Sequence, residues 1–131
     1  MFHFEALPID DRNLMVVRLH GDVTGPDFVE GLARLLGSGP DVARRDFLYD
    51  LRRYTGSIDH VAFRDAAAVY APYAPDVRAR SVIVSPDQGF ALLCRVFDLL
   101  FPGRTHAHFF LMEEALLSLG AADLAPRLRV A

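Results

Sequence analysis

The segment 50–59 of this 131-residue chain holds the side chains best suited to binding an anion or a protein surface. It follows an apolar run that predicts a central strand, and open α/β sheets bind their ligands at the carboxyl ends of such strands. Two adjacent arginines could grip an anion there, together with the free N–H groups at the start of the next helix. Ordinary turn and capping chemistry accounts for the same residue types. The candidate binding residues are Asp50, Arg52, Arg53, Tyr54, Thr55, Ser57 and Asp59.

Two histidines and one cysteine are the other residues with obvious chemistry. His106 and His108 alternate along a predicted strand and so share one face, but zinc takes three or four ligands and no third is evident. Exposed polar positions on a sheet are the simpler interpretation. Cys94 falls among apolar residues of a predicted helix, which indicates a buried thiol rather than a nucleophile. The sequence has no nucleophile elbow, P-loop or dinucleotide-binding motif, so we expect no catalysis, metal or cofactor.

Aromatic residues supply a second candidate site. The chain has ten Phe and four Tyr but no Trp, and the helix predicted over residues 86–101 is apolar over much of its surface. Such a helix buries one side and offers the other for a second contact. The aromatic surplus could line a pocket for an apolar ligand, form a dimer face or make a Phe-rich core. The pocket candidates are Phe63, Tyr70, Phe90, Phe97 and Phe101.

Alternating short strands and helices must position both sites. Residues 2–6 and 14–20 form a predicted hairpin in which Glu5 pairs with Arg18 and Phe4 with Leu19, so that one face is polar and the other apolar. Further strands are predicted over residues 47–51, 80–84 and 106–110, and helices over residues 26–36, 59–71, 86–101 and 112–119.

Capping residues mark where the helices begin. Thr24 or Gly25 can cap the first helix, and Ser85 is placed as the cap of the third, with Gln88 as its capping-box partner. The order β-β-α-β-α-β-α-β-α predicts an α/β fold: a small mixed sheet, built from an N-terminal antiparallel hairpin followed by βα units, with about four helices packed on it. Residues 121–131 carry few signals and are expected to pack loosely.

Composition narrows the class of protein. The length fits a single domain spanning residues 1–131, and a hydrophobic content of 52% excludes a disordered chain. No apolar run approaches the roughly 20 residues of a membrane span, and the N-terminal residues lack a signal-peptide pattern. A net charge of -3 without any basic tract argues against nucleic-acid binding, and a lone cysteine cannot form an internal disulfide. We expect a cytoplasmic globular domain.

The order of elements and the residues at their junctions resemble the SpoIIAA-like family, also called STAS/SEC14-type domains. The resemblance spans residues 2–120 and rests on the segments LMVVRLHGDVT (14–24), FLYDLR (47–52), VIVSPD (82–87) and FFLMEEALLSLG (109–120). It implies a small α/β sandwich related to anti-sigma-factor antagonists, often dimeric and usually without a known activity. Those antagonists carry a phosphorylated serine where this chain has Asp59, with Thr55 and Ser57 nearby. This departure favours a helix cap over a phosphorylation switch.

Three functions remain open, and we expect the first. It is a non-enzymatic regulatory or protein-interaction module that forms a homodimer, or binds a protein partner, through residues 52–59 and the helix that follows. The second is a binding protein for a lipid or small hydrophobic ligand, as the SEC14-type half of the family name implies. The third is an anion-binding enzyme that uses Asp50, Arg52 and Arg53.

Overall fold

The structure, a computed structural model, describes residues 3–74, 76 and 78–129. Five strands occur in this part of the chain: β1 (Phe4–Ile9), β2 (Leu14–Leu19), β3 (Asp46–Asp50), β4 (Ala79–Val84) and β5 (Arg104–Phe109). They form a single sheet whose spatial order follows the chain order from β1 to β5. Strands β1 and β2 are antiparallel, and every later pair of neighbours is parallel.

Four α-helices accompany the described strands: α1 (Gly25–Leu36), α2 (His60–Tyr70), α3 (Gly89–Leu100) and α4 (Met112–Ser118). Short 3₁₀ helices cover Asp10–Arg12, Val42–Arg44, Ala71–Tyr73 and Ala122–Leu128. The predicted α/β class, with a hairpin followed by βα units, is therefore confirmed. None of the helices in the described residues is long and apolar enough to cross a membrane.

The hairpin register is the one that the sorting of polar and apolar faces predicts. Phe4 lies opposite Leu19, and Glu5 lies opposite Arg18. A one-residue slip would move every apolar side chain to the wrong face, so the buried face determines the register. Residue 2, the first of the predicted strand, lies outside the described residues.

The sheet is buried on both faces, and alternation of side chains along each strand separates two cores. The first core lies under α1, α2 and α3, and includes Val17, Phe47 and Ile83. The second lies under α4 and the 3₁₀ helix Ala122–Leu128, and includes Val16 and Leu48. Parallel strands covered on both sides are near-continuously apolar, which explains the short hydrophobic runs of β3 and β4.

Two helices begin where their capping residues predict. The Thr24 hydroxyl accepts a hydrogen bond from the backbone N–H of Asp27, and the Asp27 carboxylate accepts one from the N–H of Thr24, which completes a capping box on α1. The Asp59 carboxylate accepts from the N–H of Ala62 at 3.1 Å and caps α2. Asp59, which stands where anti-sigma-factor antagonists carry a phosphorylated serine, is thus a helix cap in this chain.

The predicted start of the third helix is wrong. Ser85 does not cap it: its hydroxyl accepts from the N–H of Asp87 at 3.0 Å, and the Asp87 carboxylate accepts from the N–H of Gly89 at 2.8 Å. These bonds form two consecutive turns, and α3 begins only after them, at Gly89. The side chain of Gln88 makes no capping hydrogen bond. Short polar side chains compete with helix formation in this way.

The expectation of a loose tail at residues 121–131 is also wrong over the described part. Ala121, Leu124 and Leu128 recur at helical spacing, and all three are buried in the second core. An ion pair between Arg12 and Asp123 also attaches residues 122–128 to the turn between β1 and β2. Residues 122–128 therefore form part of the layer that covers the sheet, and residues 130–131 lie outside the described residues.

Candidate functional site

A cavity of about 490 Å³ lies between the sheet and helices α1, α2 and α3. Its volume falls within the roughly 300–1,000 Å³ that is typical of small-molecule sites. The walls come from the first core, and most of the lining is apolar. The five aromatic residues singled out in the sequence all line it: Phe63, Tyr70, Phe90, Phe97 and Phe101.

Edge-to-face ring contacts hold the aromatic wall together. The ring centres of Phe63 and Phe97 lie 4.9 Å apart, and those of Tyr70 and Phe101 lie 5.4 Å apart. Phe97 also contacts Phe101 at 6.2 Å, so one chain of rings joins α2 to α3. Aromatic pairs favour this geometry, and it fixes the shape of the wall.

The mouth of the cavity lies at the carboxyl ends of β3 and β4. The exposed lining residues lie just after these strands: Thr55 and Ser57 in the loop after β3, Pro86 and Asp87 in the loop after β4, and Gly89 at the start of α3. This is the edge where parallel α/β sheets bind their ligands. Part of the predicted loop site therefore forms the rim of the aromatic site.

Backbone hydrogen bonds fix the first of these loops against the end of β2. The N–H of Gly21 donates to the carbonyl of Arg53 at 2.9 Å, and the N–H of Thr55 donates to the carbonyl of Gly21 at 2.8 Å. Gly56 then passes so close that an added Cβ would lie 2.5 Å from the carbonyl oxygen of Val23. Only glycine permits this approach, so the rim is held in place by the strand beside it.

Tyr54 lies on the inner side of this loop. Its hydroxyl oxygen is buried and has no hydrogen-bond partner of normal geometry among the described residues. Burial raises the pKa of Tyr54, and the nearby backbone N–H of Ile58 opposes that shift. The phenol is therefore neutral near pH 7 and presents a polar atom within an otherwise apolar wall.

A buried cation marks the end of the cavity farthest from the mouth. Arg104, the first residue of β5, lines the cavity and is only 6% exposed. Its Nε donates to the hydroxyl of Ser81 at 2.9 Å, and its guanidinium lies 4.5 Å from the ring centre of Phe47. Three backbone carbonyls also accept from it, those of Ala43 at 2.6 Å, Arg80 at 3.1 Å and Arg45, and the Tyr70 hydroxyl is a further partner.

Two tyrosines share this end with Arg104. Burial raises the pKa of Tyr49 to about 12, and the charge of Arg104 opposes the shift. Burial also raises the pKa of Tyr70, whose hydroxyl donates to the carbonyl of Pro102 at 2.8 Å. No hydrogen bond of the Tyr49 hydroxyl occurs within the part of the chain that the structure describes, although Tyr49 lines the cavity. Sequence reasoning missed both residues. Tyr49 resembles the other aromatic and aliphatic residues of its strand, and Arg104 precedes the strand predicted over residues 106–110.

His106 and His108 share one face of β5, as alternation predicts, but neither occupies an exposed sheet position. The imidazole of His106 is 6% exposed, and its Nδ1 lies 2.9 Å from the carboxylate of Asp98 on α3. Burial lowers the pKa of His106, Asp98 opposes the shift, and the charge of Arg104 adds to it. His108 Nε2 lies 2.8 Å from the carbonyl of Ser85. Among the described residues, no group of three or more potential ligands could hold a metal.

The predicted anion site does not form, because its residues are divided between the two faces of the sheet. Asp50 is buried on the face opposite the cavity, where its carboxylate accepts from Arg52 Nε at 2.9 Å and from Nη2 at 2.8 Å. Arg52 also donates to the carbonyl of Leu128. With its guanidinium engaged in this way, Arg52 joins β3 to the tail and is not free to bind an anion. Arg53 is exposed.

Cys94 occupies the buried side of α3, as its neighbours predict. Burial, together with the charge of Asp98, raises the pKa of the thiol to about 11. The thiolate is the reactive form of cysteine, so this side chain is inert near neutral pH.

Comparison with known proteins identifies the fold. The chain is similar in structure to an uncharacterised protein of the DUF3478 family from Shewanella loihica PV-4, which is described as having a SpoIIAA-like fold. The TM-score is 0.63 at 17% sequence identity, and the match covers 88% of this chain and 91% of that chain. No family model and no curated protein matches the sequence. The chain therefore has a SpoIIAA-like fold, as the resemblance of its segments predicts.

Proposed function

We propose that this protein is a non-enzymatic binding protein that holds a small hydrophobic ligand between its sheet and helices α1–α3. The observation that carries the proposal is the cavity of about 490 Å³ with its apolar lining. Protein interiors pack as densely as organic crystals, so a Phe-rich core by itself does not leave a space of this size. Apolar walls with a few convergent polar groups are the usual form of a ligand site.

The polar groups of the cavity support binding rather than catalysis. The hydroxyl of Ser81 accepts from Arg104, and that of Ser85 accepts from the N–H of Asp87; among the described residues, neither hydroxyl donates a hydrogen bond to a base. Activated nucleophiles have a neighbouring base within hydrogen-bond reach. A reducing, cytoplasmic location suits this proposal, because the single cysteine is a free buried thiol.

Filling the cavity is expected to abolish ligand binding. Leu93 lines the cavity from α3, and a Leu93→Trp variant should place an indole in the space that a ligand would occupy. We expect the affinity for the neutral dye N-phenyl-1-naphthylamine to fall by at least about tenfold, because the dye and the indole would compete for the same space and overpacking is costly. The measurement is a fluorescence titration with excitation above the absorption of tryptophan.

Ala91→Trp is the matched control for this experiment. Ala91 lies on the same helix, is exposed and does not line the cavity, so its variant should bind the dye as the wild type does. Equal dye binding by the wild type and the Leu93→Trp variant would contradict the proposal. So would a wild type that binds no dye and carries no hydrophobic molecule when purified from its own host and examined by native mass spectrometry.

A regulatory or protein-interaction role through a homodimer is the second candidate, and one observation favours it. Helix α3 carries an outward-facing apolar stripe of Leu92, Val96 and Leu99, which are 73%, 46% and 86% exposed. Residues spaced by four and three positions lie along one face of a helix. Contiguous exposed apolar patches of this kind mark association surfaces. This stripe, rather than the loop 52–59, is the surface that supports the homodimer proposal.

A charge at the most exposed residue of the stripe is expected to separate such a dimer. For Leu99→Glu we expect sedimentation velocity to give a dimer dissociation constant at least about tenfold higher than that of the wild type, because a buried unpaired carboxylate is costly. Leu117→Glu, at a 70% exposed position on α4, is the control and should not change the sedimentation coefficient. A wild-type protein that remains monomeric at its highest soluble concentration would remove this candidate.

A further inference from the structure

We propose that the ligand of the cavity is an amphipathic carboxylate, such as a medium- or long-chain fatty acid, whose head group binds Arg104 at the deep end. This inference rests on the proposed function and adds to it the chemical class of the ligand.

The first observation is that the buried guanidinium of Arg104 forms no ion pair with a carboxylate of the described residues. Arg104 is 6% exposed, yet none of the ion pairs among the described residues includes it. Other buried or half-buried arginines of the chain do have such partners: Arg18 and Arg52 both pair with Asp50. Buried charges in proteins are normally paired, so an isolated guanidinium that lines a cavity indicates a site for an anion.

The second observation concerns the donors of that guanidinium. An arginine has five N–H donors, and four of those of Arg104 point at the Ser81 hydroxyl and at three backbone carbonyls. The hydroxyl of Tyr70 is a further hydrogen-bond partner of Arg104, so every partner of this guanidinium among the described residues is neutral. The carbonyls hold the side chain in one orientation without neutralising its charge, as a preorganised anion site requires.

The third observation is a further polar atom at the same end. Tyr49 lines the cavity, and its neutral hydroxyl can donate a hydrogen bond to a carboxylate oxygen. Arg104, Tyr49 and Tyr70 all line the same cavity, so the three groups can act on one ligand. A carboxylate at this point would face the charge of the guanidinium and receive one O–H from Tyr49, with aromatic rings around its chain.

The position of Arg104 favours a long apolar chain over a compact anion. Arg104 pairs in register with Ala79 at the start of β4, whereas the mouth begins at Ser85. Six strand residues correspond to about 20 Å along the sheet. Between these levels the lining is mainly aromatic and aliphatic, which suits methylene groups and not a second charge.

Wild-type protein and three probes of one chain length test the head group. Decanoate, 1-decanol and methyl decanoate are compared by displacement of N-phenyl-1-naphthylamine at neutral pH. We expect decanoate to bind at least about tenfold more tightly than the other two, since hydrogen bonds to charged groups are the strong ones. Equal or weaker binding of decanoate would overturn this inference but leave the hydrophobic-ligand proposal standing. Binding of none of the three would overturn both.

Two further measurements assign the preference to Arg104. Arg104→Gln should retain 1-decanol binding and lose the preference for decanoate, whereas Arg64→Gln, at an exposed position on α2, should retain both. Because Arg104→Gln removes structural hydrogen bonds and can fail to fold, carboxyl-13C decanoate is also titrated on the wild type. The bound carboxyl should titrate at a lower pH than the free acid, because the guanidinium favours its ionised form. An unchanged or higher titration point would overturn the assignment.

Discussion

Replacing Asp50 with asparagine is expected to lower the free energy of unfolding at pH 7 by about 3 kcal/mol. The Asp50 carboxylate is buried, and it receives two hydrogen bonds from Arg52 while Arg18 Nε lies 3.3 Å from its Oδ2. The amide of asparagine has almost the same shape but no charge, so two partly buried guanidinium groups would lose their counter-ion. Breaking a buried ion pair by removing one partner is among the costliest single changes.

Urea-induced unfolding measures this effect, and Asp46→Asn is its control. Asp46 pairs with Arg80 at 2.8 Å, but nearly half of the Arg80 side chain is exposed, so this variant should lose no more than about 1 kcal/mol. Equal losses in the two variants would show that burial of the Asp50 cluster adds nothing to its stability.

The loss caused by Asp50→Asn should also depend on pH. Burial alone raises the pKa of Asp50, but the hydrogen bonds and charge of Arg52, together with the charge of Arg18, outweigh it and hold the pKa below its ordinary value. A carboxyl with a depressed folded-state pKa contributes stability above its unfolded pKa of about 3.9, and this contribution is lost as the pH falls through the folded pKa. The difference between wild type and variant should therefore be largest near neutral pH and shrink below about pH 4.

Leu128→Ala is expected to destabilise the protein by about 3 kcal/mol. The Leu128 side chain is fully buried in the second core, and alanine would leave a cavity beneath residues 122–128. Alanine retains the backbone carbonyl that accepts from Arg52, so the variant tests the side chain alone. Leu117→Ala, at a 70% exposed position on α4, should change the stability by less than about 0.5 kcal/mol.

Thermal or urea unfolding of the two leucine variants decides whether the tail is part of the fold. If Leu128→Ala unfolds at the same urea concentration as Leu117→Ala, residues 122–128 do not contribute to stability.

Much of the fold could be predicted because neighbouring residues determine it. The register of the hairpin follows from which side chains of β1 and β2 are apolar, and the start of α1 follows from Thr24 and Asp27 three residues later. The start of α3 could not be found in this way, because Ser85 and Asp87 use their cap-forming side chains to make turns instead. The same residue types support both outcomes, and tertiary packing selects between them.

The candidate site was harder to predict, because its parts are far apart in the chain. The aromatic residues could be identified from their number and helical spacing, but nothing in the sequence around Arg104 indicates that three carbonyls surround its guanidinium. Conversely, Asp50 and Arg52 are two residues apart and looked like one end of an open site. They bind each other on the opposite face of the sheet, since alternation turns Asp50 away from the cavity.

The order of the strands has a consequence for how the chain acquires its structure. Because β1 to β5 pair in chain order, the sheet can grow by adding one neighbour at a time, without waiting for a distant segment. Its second face is different: Val16 and Leu48 are covered by α4 and residues 122–128, which follow every strand in the chain. During synthesis the covering of this face would stay incomplete until residue 128 has been made, and exposed strands of this kind are prone to aggregate. The tail therefore sets the moment at which the nascent sheet becomes protected.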